Sequence, residues 1–483
     1  MPPFAAGLLV FGASAAILVL EILAGRLLAP YVGVTLETYS GIIGTVLAGI
    51  SLGTFLGGRL ADRVDPRRTL GPLLVAGGAL SVCVLPAVRI AGSLQLGGGT
   101  MAVVTLAFVG FFAPAAVLSA VSPTVVKLQL HDLDQTGGVV GRLSALSTAG
   151  AIFGTFLTGF VLLSAVPTQP LVLSVGAALV IVGLACWAAL GRRGPLPASA
   201  LALALVGAGG GIALPAPCQV ESAYFCARVE VDQQRPTGRT LYLDTLRHSY
   251  VDLADPQHLE FTYAQTMSDV IATLPEGPLD VLHVGGGGFT MPRFVAAVRP
   301  GSASRVLELD PAVFALAKAE LGLRTSDDLQ VRIGDARTGL RGEPEGAYDL
   351  VIGDAFGGLA VPWHLTTKEF VQQIHDRLRP GGVYVVNLID YPPLGFARAE
   401  AATLDAVFEH AAVLAPQVRL DRVDGGNIIL VASDAPIPLD AVLARNAQRG
   451  DDEAARTAAE FADGAQVLTD DFAPVDQLLT PLT

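Results

Sequence analysis

Seven apolar runs within the first 216 residues constrain this chain more than any other feature; they lie at roughly 4–24, 40–60, 70–92, 100–126, 143–166, 170–190 and 196–214. A helix needs about 20 apolar residues to cross about 30 Å of hydrocarbon, so this part reads as an α-helical multi-pass membrane domain of about seven spans. The last run is the weakest. Its core, Val206-Gly-Ala-Gly-Gly-Gly-Ile, makes a poor isolated helix, although small residues suit close helix packing in lipid. Gly53/Gly57 and Gly150/Gly154 have the four-residue spacing of tight crossings, in a chain with 54 glycines where chance matches also arise. Charge separates the two parts: residues 1–216 carry ten Lys/Arg and six Asp/Glu (+4), residues 217–483 carry 21 and 38 (−17), and the two sum to the chain's −13. The second part is therefore expected to be soluble. No cleavable signal is expected, because the first apolar segment is long and lacks a basic leader and a small-residue cleavage site.

Basic residues in the connections set an expected orientation. Arg59, Arg63, Arg67 and Arg68 fall between spans two and three, Lys127 and Arg142 between four and five, and Arg192 and Arg193 between six and seven. The positive-inside rule then places these connections and the N-terminus in the cytoplasm, and seven spans place the soluble domain outside the cell membrane. Cys218 and Cys226, eight apart just after the last span, are either a disulfide formed in an oxidising space or two free thiols. Glu21, in the first span, needs a partner, a pathway or an interface to snorkel to. Pro114 and Pro123 can kink the fourth span.

The soluble part is organised around Leu279-Asp-Val-Leu-His-Val-Gly-Gly-Gly-Gly-Phe-Thr290, a buried strand running into a glycine turn with a helix expected over Met291–Val298. Glycines let a backbone approach a ligand with no Cβ between. Glu308 follows Gly286 by 22 residues, at the end of Arg305-Val-Leu-Glu-Leu-Asp310; about 20 is the interval at which such folds hold a ribose diol. Two further strands, from Leu329 and from Tyr348, end at Asp335 and Asp354. Open parallel sheets bind ligands at that edge, so Glu308, Asp335 and Asp354 are expected to share one crevice suited to an adenosine-bearing cofactor.

Ahead of this sheet, 227–232 and 239–244 alternate as two strands around a Pro/Gly turn, followed by a helix over 258–273 that carries Tyr263. Beyond it, helix 366–379, strand 383–389, helix 397–412, late strands near 417–421 and 427–432, and a helical tail over 436–463 are predicted. The expected domains are 1–216 (membrane), 217–270 (β-hairpin and linking helix), 271–435 (Rossmann-like) and 436–483 (helical tail).

Residues 217–435 resemble spermidine synthase and its polyamine aminopropyltransferase relatives, on the fold shared with class I methyltransferases. Glu221-Ser-Ala-Tyr224, Leu243-Asp244, Glu260-Phe-Thr-Tyr263, Gly285-Gly-Gly287, Glu308-Leu-Asp-Pro311, Gly334-Asp335-Ala336, Tyr348-Asp-Leu-Val-Ile-Gly-Asp354 and Leu365-Thr-Thr-Lys-Glu-Phe370 match the family's motifs in order. The whole chain resembles its membrane-fused bacterial members. The resemblance implies decarboxylated S-adenosylmethionine as co-substrate and no metal. Glu308 would hold the ribose, Asp335 and Ala336 the adenine edge, and Gly285, Gly286 and Gly287 the methionine-derived chain. Asp354 would be the general base, with Tyr224, Asp244 and Tyr263 toward the amine. It also implies a polyamine substrate, an integral place in lipid and a homodimer.

Four positions depart from the family: Phe225, Ala264, Gly288 and Gly357 stand where amine-gripping Gln, His, Asp and Asp are expected. His248, Asp244, Tyr224, Tyr263 and Asp255 are candidate replacements, although a lone His more often has a surface or structural role. Two other classes of function therefore stay open. One is a methyltransferase-like enzyme using S-adenosylmethionine on a membrane or envelope substrate; the other is a polyamine transporter or sensor. Four scattered cysteines offer no paired metal spacing, and the acidic soluble part opposes nucleic acid.

Overall fold

The computed structural model describes all residues except 95–98, 131, 133, 135, 191–196, 359 and 481–483. Arg192 and Arg193, used above for orientation, lie outside the described residues. Two compact units emerge: Met1–Arg228 with Leu243–Leu246, and Val229–Tyr242 with Arg247–Thr483.

The first unit is a helical bundle. Six helices are long and apolar enough to cross a membrane: α1 (Pro3–Val32), α2 (Leu36–Arg63), α3 (Pro66–Ser93), α4 (Thr100–Gln129), α5 (Thr136–Ala165) and α6 (Thr168–Ala189). The seventh expected span is α7 (Ala198–Ala213), only 16 residues long, or about 24 Å at 1.5 Å per residue. Crossings are made at glycines because only a bare Cα lets backbones approach closely. Gly49, Gly53 and Gly57 of α2 lie against Phe112, Ala116 and Ala120 of α4; Gly150 and Gly154 of α5 lie against Phe11 and Ala15 of α1; Gly207 of α7 faces Cys83 of α3. Pro114 acts on α4 through the turn before it: Phe108–Phe112 widens to a π-helix, as a missing N–H in the ladder favours. Glu21 does not pair with Arg26. The Arg26 guanidinium instead donates to the carbonyls of Ser222 and Ala223 and lies 3.8 Å from Glu221. Glu221 in turn accepts from the backbone N–H and hydroxyl of Thr168, capping α6. Of the two states left open for Cys218 and Cys226, the structure has the disulfide, while Cys83 and Cys186 are free.

A four-stranded sheet follows, in order β1 (Val220–Glu221), β2 (Cys226–Val231), β3 (Gly238–Leu243) and β4 (Leu246–Asp252), so the two strands expected here gain one on each side.

The second unit is a Rossmann-like α/β fold of the methyltransferase and spermidine synthase type. Helix α8 (Thr262–Thr273) leads into β5 (Asp280–Val284), α9 (Thr290–Val298), β6 (Ala303–Glu308), α10 (Pro311–Glu320), β7 (Leu329–Ile333), α11 (Ala336–Leu340) and β8 (Tyr348–Gly353). Then come α12 (Lys368–Arg377), β9 (Leu378–Asp390), α13 (Gly395–Asp405), β10 (His410–Pro416), α14 (Gln417–Leu420), β11 (Gly426–Ser433), α15 (Leu439–Arg449), β12 (Glu453–Thr457), α16 (Ala458–Ala462) and α17 (Val475–Leu478). The sheet order is β12-β10-β11-β9-β8-β5-β6-β7; β7, β6, β5, β8 and β9 are parallel, and β11, β10 and β12 are joined antiparallel. Apolar cores cover both faces, one under α12, α13 and α16, the other under α8, α9 and α15.

Three sequence expectations are corrected here. The helix expected over 397–412 stops at Asp405, and Ala411-Ala-Val-Leu-Ala415 forms β10, because pairing on both edges outweighs the helical propensity of alanine. The strand expected near 417–421 is the short α14. The tail is not all helix, since Glu453–Thr457 adds an edge strand to β10.

Gly53→Leu should lower the melting temperature of the detergent-solubilised protein by several degrees, as overpacking costs about 1–3 kcal/mol, whereas Gly12→Leu, with open space around it, should not. Alkylation of the denatured, unreduced protein should add two labels by mass and four after reduction; four labels before reduction would exclude the disulfide.

Candidate active site

The site is built at the C-terminal edge of the parallel strands. After β5 the chain turns through Gly285 (φ +95°), whose missing Cβ would otherwise collide with the Asp354 carbonyl. The turns after β5 and β8 can therefore touch backbone to backbone. The Glu308 carboxylate, at the end of β6, accepts the N–H groups of Gly286 (2.9 Å), Gly287 (3.0 Å) and Asp310 (2.8 Å). Burial pushes Glu308 upward, and these three donors pull it back toward the charged form. A carboxylate has about four acceptor directions, so roughly one remains for a ligand hydroxyl.

Asp335 caps α11 by accepting the Thr338 N–H (2.8 Å), with Ala336 buried behind it, and its second oxygen meets His364 Nε2 at 2.8 Å. Burial works to raise it, but Thr338 and His364 outweigh that and leave it below the usual carboxylate value.

Asp354 follows β8 directly. One of its oxygens accepts from Tyr263 of α8 (3.3 Å) and the other from the Asn387 amide of β9 (2.9 Å). Burial dominates, moving Asp354 from 3.8 up to about 6 against the opposing pull of Asn387 and Tyr263. Tyr263 is itself raised by burial and by the adjoining carboxylate, so its hydroxyl stays protonated as a donor.

The turn after Gly287 is closed by β4. The Gly288 N–H donates to Ser249 Oγ (3.0 Å), and Ser249 Oγ lies 2.8 Å from His248 Nδ1. A Cβ on Gly288 would sit 2.6 Å from the Ser249 Cβ, and one on Gly287 would sit 2.6 Å from the His248 ring. Burial lowers His248 to about 4, leaving it a neutral imidazole.

Gly285, Gly286, Gly287, Glu308, Asp335, Ala336, Asp354 and Tyr263 thus all belong to the second unit, at or beside this edge. Tyr224 and Asp244 belong to the first. Tyr224 is exposed, and Asp244, at φ +54°, accepts the Cys226 N–H (3.0 Å) within the turn. Asp255 caps a turn through the Gln257 N–H. Sequence reasoning missed Asn387, His364 and Ser249; the lone polar residue in Val383-Tyr-Val-Val-Asn387-Leu-Ile was the one available signal.

No family model matches the chain. The polyamine aminopropyltransferase of Vibrio vulnificus is 28% identical over 250 residues, 46% of this chain and 78% of that protein. A solved structure from Corynebacterium glutamicum, described as a probable spermidine synthase, is 30% identical and covers 53% of this chain and 96% of its own, with a TM-score of 0.48. The human eEF1A lysine and N-terminal methyltransferase is 31% identical over 163 residues, 32% of this chain and 22% of that protein. The chain is similar to the spermidine synthase-like family of aminopropyltransferases, and it is a transferase.

A carboxylate raised by folding holds its proton more tightly folded than unfolded, so it costs stability as pH rises from about 4 through 6. Asp354→Asn should therefore stabilise the protein at pH 8, by of order 2 kcal/mol, and change little near pH 4. Thermal unfolding at both pH values checks this; equal shifts at both would contradict the burial of Asp354.

Proposed function

We propose that the second unit transfers an aminopropyl group from decarboxylated S-adenosylmethionine to an amine such as putrescine. The observation that carries this reading is the desolvated Asp354 carboxylate, held by Tyr263 at the sheet edge against the glycine turn. An ammonium must lose a proton before its nitrogen attacks the carbon beside a sulfonium. A carboxylate near 6 is ionised at neutral pH and basic enough to orient and take that proton, while the neutral thioether departs. In this reading Glu308 accepts a ribose hydroxyl, Asp335 and Ala336 meet the adenine edge, and Gly285 to Gly287 wall the sulfonium chain. Tyr263 would stand on the amine side. The acidic second part would draw a polycation inward. The bundle would anchor the enzyme in the cell membrane, with homodimers as the assembly. If α7 crosses as the seventh helix, the positive-inside count puts the catalytic unit outside, where a Cys218–Cys226 disulfide is at home.

A second reading has its own support. Ser249 fills the space beside Gly288, so no acidic side chain fits there and the neutral His248–Ser249 pair stands next to the turn. A donor that keeps its methionine carboxylate would meet no like charge at this point, which favours intact S-adenosylmethionine and methyl transfer; the likeness to a methyltransferase agrees.

Mass spectrometry of full-length protein incubated with either donor and a panel of amines separates the two. Aminopropylated amine with methylthioadenosine, lost in Asp354→Asn, is the expected result. Methylated product with S-adenosylhomocysteine, from the intact donor alone, would replace it with the second reading.

A further inference from the structure

We propose that Asn387 and Asn427 form a two-amide relay that positions the Asp354 carboxylate, with Asn427 fixing the Asn387 amide so that its NH2 group faces the acid. The inference rests on reading Asp354 as the base. The strand register sets it up. Gly353 pairs with Val386, which brings Asp354 beside Asn387; Ile429 pairs with Asn387, which puts Asn427 one diagonal step away on the same sheet face. Below them that face is apolar, with Leu350, Ile352, Val383, Val385, Ile429 and Val431 in one core. At the C-terminal edge it becomes a polar layer, and Asn387 is only 2% exposed there.

A buried amide must be satisfied at both ends. The Asn427 NH2 donates to the Asn387 carbonyl (3.0 Å), and the Asn387 NH2 donates to Asp354 (2.9 Å). Turned over, Asn387 would aim its carbonyl at a carboxylate oxygen and its NH2 at another NH2, two mismatches. Asn427 therefore decides the orientation without touching the acid. Tyr263 holds the other oxygen, so the plane of the carboxylate is fixed from two sides. Among the described residues Tyr263 is the one titratable side chain hydrogen-bonded to Asp354; the charged and titratable groups of the strands around it are Asp280 and His283 in β5, Tyr348 and Asp349 in β8, and Arg379, Tyr384 and Asp390 in β9, with Glu308 at the end of β6 and His248 in β4.

The test uses full-length Asn387→Leu and Asn427→Leu. Losing a donor to the charged form raises the carboxyl, so the acidic limb of the pH–rate profile should move up by about one to two pH units in Asn387→Leu. It should move less, but in the same direction, in Asn427→Leu, with donor binding unchanged in both. Asn427→Ser, which keeps a donor, should restore part of the shift. A fall in kcat by one factor at every pH, with the limb unmoved, would overturn the relay. Difference infrared titration of the Asp354 carboxyl, referenced to Asp354→Asn, reads the same shift without turnover. A wild-type protein inactive with every donor would sink the catalytic reading, and the infrared shift would still decide the relay. Should Asn387→Leu not fold, Asn427→Leu carries the test.

Discussion

The close approach of two backbone turns, at Gly285 and Asp354, is the constraint on which the second unit depends. Parallel pairing of β5 with β8 brings the ends of both strands to one level, and only a residue without a Cβ lets the following turns touch. That contact leaves the N–H groups of the glycine turn pointing inward, where they would be orphaned. Glu308 takes up two of them from the next strand, and Ser249 takes the third. The Glu308 carboxylate is thus a structural counterpart of the turn.

The same sheet edge sets the carboxylates apart. Each carboxylate at the edge ends a parallel strand, yet their environments push them apart. Asp335 is lowered by a helix N-terminus and His364, whereas Asp354 is raised by burial and moderated by two neutral donors. Divergent environments of this kind assign roles to like residues. The lower one is suited to hold a fixed charge toward a ligand edge, and the higher one to exchange a proton near neutrality.

In the helical unit the governing term is different. Close packing at glycines holds the crossings, the packing that serves helices able to span lipid. Gly49, Gly53 and Gly57 let α2 lie directly against the backbone of α4, and Gly150 and Gly154 do the same for α5 on α1. Polar contacts add to this: Ser14 meets Ser147 between α1 and α5 (2.7 Å), Arg89 donates to Gln169 (2.7 Å), and Glu221 caps α6 while Arg26 holds the carbonyls beside it.

Much of this was legible in the sequence because it depends on local chemistry. Apolar run length announced the long apolar helices, four glycines announced a turn that must approach something closely, and carboxylates 27 and 19 residues apart after apolar runs announced the edge where they gather. These signals survive without coordinates because lipid thickness, Cβ sterics and strand-end geometry act residue by residue. What only the tertiary structure decided are the matters of pairing. Ala411–Ala415 became a strand because two neighbours claimed its edges, against its own helical preference. Asn387 and Asn427, 40 residues apart, met through a register no local pattern encodes. Ser249 came to occupy the space beside Gly288, so the acid missing there has no room to return. Burial and register are properties of the assembled sheet, which is why the glycine turn and Asp354 could be read in advance and the groups that tune them could not.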